Sequence, residues 1–413
     1  MIRTRIFACS LPKDTADTLN RESGRIYTGV LVEHYRILRH SDHWLSPGGG
    51  EKLSDYLSGT ILHAHSRDAA QQGFYKACKT AQAQKAAGMG PARYPHHLKR
   101  FRTSIWKNTG IRKKGDVLLL AMARGYQPLR VCLPSQLANL PAESFLEMRL
   151  VWDRAGRRYN WHSVVEDGLQ PANPPGNAVA AVDLGEIHPA AVTDGEEGVV
   201  FCARELRSLS QYSHKRLAEI QSVLSKKEKH SRRYQRMLAR KVRFLAKQKR
   251  KRTDIEHKVS RSVVNYAVER RVGTLAIGDV RDVADGVNYG KKTNQKISNW
   301  SHGKLRSYIE YKAAAEGIQT VLENEAHTSQ TCPNPNCLHK IKPKGRVYRC
   351  PACGFVGHRD IVGASNILSR RVYGKLGQIY PAETKYRHPW ITGKRSPVDT
   401  RQVARQNREA AVL

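Results

Sequence analysis

Four cysteines near the C-terminus have the residue type and spacing that suit a metal ion. Cys332 and Cys337 lie in TCPNPNC, and Cys350 and Cys353 lie in YRCPACG, with twelve residues between the two pairs. Two tight turns that each present two thiolates are typical of a zinc ribbon, in which one tetrahedral Zn²⁺ holds both turns. Because four thiolates fill every position around the ion, the expected zinc is structural. The alternative is an unmetallated, reduced cluster.

Two aspartates are candidates for a different metal centre. Asp183 ends the small apolar run AVAAVD, and Asp360 lies in HRDIVGASN, at the predicted start of a helix just after the cysteines. Mg²⁺ prefers carboxylate oxygens, and two such ions about 4 Å apart activate water and stabilise the leaving oxygen at a phosphodiester. The alternatives are a turn-forming aspartate at 183 and a helix N-cap at 360.

The order of elements around these acids predicts an α/β domain. After the Pro-rich segment 170–176, residues 178–202 predict strand, turn and strand, with Asp183 ending the first strand. A helix, a strand, a helix, a strand and a final helix follow in the predicted order. This is the order of an RNase H-like fold, whose metal centre collects carboxylates from separate elements.

The charge of the chain indicates a polyanionic partner. The 413 residues include 71 Lys and Arg against 36 Asp and Glu, a formal charge of +35. Nucleic acid offsets such self-repulsion, because basic side chains release counterions when they meet phosphates. The alternatives are a generically basic protein and a membrane-surface binder.

No apolar run approaches the ~20 residues that span a bilayer. The remaining cysteines are scattered along the chain, which favours reduced thiols and a bacterial cytoplasm.

Changes in pattern predict the domain boundaries. Residues 204–258 contain nineteen Lys and Arg but only five Asp and Glu, so we expect a basic helical hairpin at about 205–270. The predicted domains are a small β-barrel (1–12 and 113–170), a helical insert (13–112), the nuclease-like domain (171–330 and 356–380), the zinc ribbon (331–355) and a mobile basic tail (381–413).

Four motifs in this order resemble one family. AVDLG, LAIGDV, TSQTCPNPNC with YRCPACG, and GHRDIVGASNIL, within residues ~178–370, are similar to TnpB, the RNA-guided DNA endonuclease of bacterial insertion sequences. TnpB is in turn similar to compact type V CRISPR effectors. Upstream of the motifs, only the pattern agrees with the family's wedge β-barrel and helical recognition domain.

The resemblance implies a mechanism. A guide RNA from the transposon end would bind the basic surface, and the protein would read a short motif beside the target. A RuvC-like site, with Asp183 as the first and Asp360 as the last Mg²⁺ ligand, would then cut both strands of the double-stranded DNA.

The middle acid of the family is missing from its usual place. Gly278, in LAIGDV, stands where the family carries a glutamate. Asp279 is one residue further along, but strand alternation would point it to the opposite face. Glu325 ends the neighbouring parallel strand, as in some branches of the family, and we expect it to be the middle ligand. Glu323, two residues before Glu325, is a weaker candidate for the same ligand position.

The missing glutamate keeps two other functions open. One is an RNA-guided DNA-binding protein that has lost cleavage, such as a repressor. The other is a transposon DNA-binding accessory protein that acts without RNA.

Overall fold

The computed structural model describes residues 1–56, 59–280, 290, 294, 300, 302–343 and 345–389. The chain divides into two compact units, Met1–Leu169 and Gln170–Leu413. The division falls at the start of the Pro-rich segment that the sequence predicts as a linker.

The N-terminal unit contains two antiparallel sheets, of order β1-β7-β6-β2 and β3-β4-β5. Their apolar faces share a core that includes Trp106, Trp161 and Leu118. The described strands thus form two sheets rather than one hydrogen-bonded barrel, and β2 and the first two residues of β3 lie inside the segment predicted to be helical. The elements are β1 Ile2–Ala8, α1 Lys13–Ser41, α2 Pro47–Tyr56, α3 Ala64–Ala86, β2 Ser104–Lys107, β3 Ile111–Lys114, β4 Val117–Leu120, β5 Leu129–Cys132, α4 Ser135–Ala138, β6 Phe145–Asp153 and β7 Arg158–Glu166.

The C-terminal unit is built on a sheet of order β12-β11-β8-β9-β10-β15. Strands β8, β11 and β12 are parallel, and β9 is antiparallel to both β8 and β10. The order of elements from β8 onward follows the predicted one. The elements are β8 Ala178–Asp183, β9 Ala190–Thr193, β10 Glu197–Phe201, α5 Glu205–Ser225, α6 Arg232–Glu269, β11 Val272–Asp279, α7 His302–Ala315, β12 Gln319–Asn324, β13 Val347–Arg349, β14 Val356–His358, α8 Arg359–Tyr373 and β15 Glu383–Arg387.

Helices cover both faces of this sheet. On one face, Val182 and Ile277 belong to a core with Val263 of α6 and Ile309 of α7. On the other face, Ala181 and Ala276 pack against Ile367 and Leu368 of α8. Burial on both faces explains why β8 and β11 read as continuous apolar runs instead of alternating ones.

The predicted mobile tail begins with an ordered strand, so its start at residue 381 is wrong. Strand β15 pairs in parallel with β10 along Glu197–Phe201, and Lys385 and Arg387 both form ion pairs with Glu197. The physical reason is that β10 would otherwise present an unpaired edge of N–H and C=O groups. Residues 390–413, the rest of the predicted tail, lie outside the described residues.

The predicted basic hairpin is present as α5 and α6, which contact each other along their length. Ile220 and Leu224 of α5 are buried, whereas most of the basic side chains of both helices remain exposed or half-buried. Although α6 has 38 residues, neither it nor any other helix in the described part of the chain is long and apolar enough to cross a membrane.

Candidate metal-binding active site

The carboxyl ends of three parallel strands meet at one edge of the large sheet. Asp183 is the last residue of β8, and Glu325 comes directly after β12. Strand β11 lies between β8 and β12, and pairs with both. Because parallel strands end at the same edge, acids that are far apart in sequence can face one site.

The third acid arrives on a helix packed across the sheet. Asp360 is the second residue of α8, and Gly363 lies one turn further along. A Cβ atom at Gly363 would come within 2.3 Å of Oδ2 of Asp183. The missing side chain at Gly363 therefore lets α8 approach the end of β8 and brings Asp360 near Asp183.

Gly278 also provides space for a carboxyl. A Cβ atom at this position would lie 1.8 Å from Oε1, 2.5 Å from Cδ and 2.6 Å from Cγ of Glu325. The Glu325 carboxyl thus lies over the backbone of β11, in the space where a side chain at Gly278 would begin. The glycine at 278 and the glutamate at 325 are spatially complementary.

The three acids act on one another electrostatically. Burial, followed by the charges of Glu325 and Asp360, raises the pKa of Asp183 well above its usual 3.8. Burial and the nearby Asp279 raise the pKa of Glu325 from 4.5 to about 7. Each shift means that the ionised form is disfavoured until something positive offsets it.

The donor atoms fit hard divalent cations. Within the described residues, Oε1 of Glu325 and Oδ2 of Asp360 are buried and have no hydrogen-bond partner. The other oxygen of Asp360, Oδ1, accepts a hydrogen bond from Arg346 Nη1 at 2.7 Å. Converging carboxylates with unpaired buried oxygens are the oxygen-rich, negatively charged environment that Mg²⁺ prefers.

The other two acids considered from sequence have basic neighbours. Asp279 faces Arg306 of α7, with 3.8 Å between Oδ1 and Nη1. Glu323 faces Arg371 of α8 at 3.6 Å. Asp279 is close enough to influence Glu325, but the acids that raise the pKa of Asp183 are Glu325 and Asp360. Of the two acids, Glu325 rather than Asp279 is therefore the one whose charge acts on Asp183.

The four ribbon cysteines also converge. Their sulfur atoms all lie within 4.8 Å of one another, with 3.6 Å from Cys332 to Cys353 and from Cys337 to Cys350. This set fits a tetrahedral thiolate site for zinc. Strands β13 and β14 form the adjoining hairpin, and β14 runs directly into α8. The cysteine cluster is therefore linked to Asp360 through a short, hydrogen-bonded segment.

Sequence reasoning missed two histidines at this site. His188 lies in the loop between β8 and β9, and His358 is the last residue of β14. Their ring centroids lie 5.7 Å apart, and burial lowers the pKa of each to about 4. No local motif identifies them, because they are distant in sequence and meet only when α8 packs on the sheet.

Two family models match segments that contain all of these acids. The model OrfB_IS605, described as "Probable transposase", matches residues 162–284, and the model described as "Cas12f1-like, TNB domain" matches residues 302–367. Asp183 and Gly278 lie in the first segment, whereas Glu325, the cysteines and Asp360 lie in the second.

Two relatives align with parts of the chain. A TnpB-like protein of Methanocaldococcus jannaschii is 31% identical over 130 residues, covering 31% of this chain and 46% of that protein. The CRISPR-associated endodeoxyribonuclease Cas12f1 of Sulfoacidibacillus thermotolerans is 29% identical over 117 residues, covering 28% of this chain and 26% of that protein. The aligned part thus spans less than half of either relative.

A solved structure shares the fold. A chain in the cryo-EM structure of a Cas12f1–sgRNA–target DNA complex matches with a TM-score of 0.56 and 12% identity, over 87% of this chain and 84% of that chain. At this identity the likeness concerns the fold alone. The chain has the fold of the compact Cas12 effectors, which includes a RuvC nuclease fold.

The raised pKa of Glu325 predicts how stability depends on pH without Mg²⁺. The pKa of this carboxyl is 4.5 in the unfolded chain and about 7 in the folded protein. The folded state binds more protons in this window, so the stabilisation is complete below about pH 4.5 and is lost as pH rises through about 7. We expect Glu325→Gln to unfold at a higher temperature than wild type at pH 7.5, with a difference that shrinks toward pH 5.

The control for this measurement is Glu228→Gln, which changes an exposed glutamate between α5 and α6. Thermal unfolding of all three proteins in Mg²⁺-free buffer provides the comparison. Equal pH profiles for wild type and Glu325→Gln would contradict the assigned environment of Glu325.

The cysteine cluster predicts a zinc content that one substitution removes. Cys353→Ser deletes a thiolate, so we expect about one zinc per chain to be lost and the ribbon to unfold at lower temperature, because zinc binding contributes folding free energy. Elemental analysis and thermal unfolding test this, with Cys132→Ser, an exposed cysteine of the N-terminal unit, as control. An unchanged zinc content in Cys353→Ser would refute the site.

Proposed function

We propose that this chain, which belongs to the TnpB family, is an RNA-guided endonuclease that hydrolyses double-stranded DNA beside a short flanking motif. The observation that carries the proposal is the proximity of Asp183, Glu325 and Asp360 at the carboxyl edge of the sheet, where Glu325 and Asp360 each have an unpaired buried oxygen. The names of the Cas12f1 relative and of the solved complex with sgRNA and target DNA support the same class of activity.

Asp183, Glu325 and Asp360 would hold two catalytic Mg²⁺ ions. When bound, the ions activate the attacking water and stabilise the leaving oxygen at the phosphodiester. The protein contributes carboxylates that come from β8, from the end of β12 and from α8, so their spacing depends on the packing of all three elements. Arg346 orients the Asp360 carboxyl by holding Oδ1, which leaves Oδ2 for the site.

The glycine at position 278, where the resembled family carries a glutamate, is compatible with an active enzyme. Its missing side chain leaves room for the Glu325 carboxyl, so the acid of the cluster comes from the adjacent strand. This complementarity supports the nuclease over the alternative of an RNA-guided binder that has lost cleavage.

The partners would be a guide RNA from the transposon end and a double-stranded target DNA. The formal charge of +35 favours a large polyanion, and the exposed basic side chains of α5 and α6 would provide phosphate contacts that do not depend on sequence. Base pairing between guide and target would supply the sequence specificity.

A cleavage assay separates the active enzyme from the alternatives. With Mg²⁺ and a transcript of the element's end, we expect wild type to cut DNA that matches the guide. Asp183→Ala and Glu325→Ala should lower the rate by at least about 100-fold, because a positioned metal supplies several kcal/mol of transition-state stabilisation.

Asp279→Ala is the matched control, because it removes a nearby acid that faces Arg306. If Asp279→Ala abolished cutting while Glu325→Ala did not, the ligand assignment would be wrong. If wild type bound the transcript and its target without cutting, it would be an RNA-guided binder. Binding of DNA alone would indicate an accessory protein.

The space at Gly278 makes a separate prediction. In Gly278→Ala the new Cβ displaces the flexible Glu325 side chain, and a misplacement of about 1 Å in a catalytic group costs about 10²-fold in rate. We therefore expect cleavage to fall by about 10- to 100-fold, with little change in the unfolding temperature.

The control for Gly278→Ala is Gly303→Ala on α7, where an added Cβ meets no atom within 4 Å. This variant should cut like wild type and unfold at the same or a slightly higher temperature, because alanine favours a helix. Full activity of Gly278→Ala would contradict the role of Glu325.

A further inference from the structure

A group of nitrogen and oxygen donors lies beside the carboxylate cluster. His188, His358 and Asp360 each present a donor atom, and these atoms all lie within 4.8 Å of one another. The residues come from the loop after β8, the end of β14 and the start of α8. Two tetrahedral ligands with bonds of about 2.0–2.2 Å lie about 3.4 Å apart, so small side-chain movements would bring these donors onto one ion.

The side chains of His188 and Asp360 are buried and that of His358 is half-buried, and donor atoms of His358 and Asp360 lack hydrogen-bond partners among the described residues. The side chain of His188 is 2% exposed. Both ring nitrogens of His358 and Oδ2 of Asp360 are buried without a hydrogen bond to any described residue. Leaving such a group unpaired costs about 1–3 kcal/mol. Three unpaired atoms at one place therefore indicate that a ligand satisfies them.

The surrounding contacts orient the donors. Oδ1 of Asp360 is held by Arg346, and Nδ1 of His188 lies 3.7 Å from Sγ of Cys202, which leaves Nε2 of His188 as a ligand. The Tyr386 ring stands edge-on to the His358 ring, with 5.6 Å between centroids. Fixed ring orientation and a second contact on a ligating imidazole are features of protein metal sites.

We propose that His188, His358 and Asp360 form a binding site for a divalent transition metal, with zinc as the ion whose ligand preferences fit best. Two imidazoles and one carboxylate, with an open position, are the ligand set of many three-residue zinc sites. Mg²⁺ prefers oxygen donors and is poorly served by imidazole. The site therefore differs in metal preference from the carboxylate cluster beside it.

The local charges permit a cation here. Arg204 and Arg346 act on His188 and oppose a positive ion. The negative charge of Asp360, which also acts on His188, offsets them.

The shared Asp360 has a consequence that rests on the proposed function. A zinc ion at the histidines engages Oδ2 of Asp360, the oxygen that the Mg²⁺ cluster requires. Zinc would thus compete with Mg²⁺ for one carboxylate and inhibit DNA cleavage, while the structural zinc of the cysteines stays in place.

Cobalt absorption tests the site on the full-length protein with zinc in its ribbon. We expect added Co²⁺ to produce ligand-field bands without a thiolate-to-cobalt charge-transfer band, because nitrogen and oxygen bind it. His188→Gln and His358→Gln should each weaken Co²⁺ binding at least about tenfold, since orienting contacts alone are worth 10- to 100-fold in affinity.

The control is His40→Gln, which changes an exposed histidine on α1, and it should bind Co²⁺ like wild type. Unchanged binding by both site variants, or a wild-type spectrum with only the thiolate band, would overturn the proposal. The wild-type spectrum decides the question even if both variants fail to fold.

A DNA cleavage experiment distinguishes failure of the histidine metal site from failure of the proposed nuclease function. Micromolar Zn²⁺ added to Mg²⁺-supported cleavage should inhibit wild type more than His188→Gln. Equal inhibition of both proteins would refute the competition. If wild type does not cut DNA at all, the nuclease proposal fails, and the cobalt spectrum still accepts or rejects the histidine site.

Discussion

Mutual repulsion among buried carboxyls at one sheet edge is the constraint on which the rest of the C-terminal unit depends. Asp183, Glu325 and Asp360 raise the free energy of the metal-free fold, because each disfavours ionisation of a neighbour or is itself desolvated. The packing of β8, β11, β12 and α8 must hold these groups together against that cost. Bound cations would turn this repulsion into attraction, so the arrangement that costs stability without metal is the one suited to the proposed Mg²⁺ ions.

Two glycines make the close approach possible. Gly363 lets α8 lie against the Asp183 carboxyl, and Gly278 leaves its side-chain space to Glu325. In both places a single methyl group would collide with a carboxyl. The backbone is therefore part of the candidate site, because the Glu325 carboxyl at the end of β12 occupies space that only a glycine at position 278 of β11 leaves open.

The cysteine ribbon and the active-site helix form one continuous segment. Strand β14 ends at His358, α8 begins at Arg359, and Arg346, just before β13, binds Asp360. Metal binding by the cysteines would consequently limit the motion of Asp360 as well as fold the ribbon. Physical continuity of this kind would couple a zinc ion held by the cysteines to the proposed Mg²⁺ site without direct contact between the ions.

The sequence by itself determined the features that depend on short spacings. The cysteine pairs, the acid at the end of a small apolar strand, the acid at a helix start and the basic helical hairpin are all local patterns, and local geometry follows from them. Only the tertiary structure decided which acids meet, that His188 lies beside His358, and that β15 joins the sheet at the edge of β10. The reason is that distances between residues far apart in the chain depend on strand order, register and helix packing, and no spacing in the sequence specifies these.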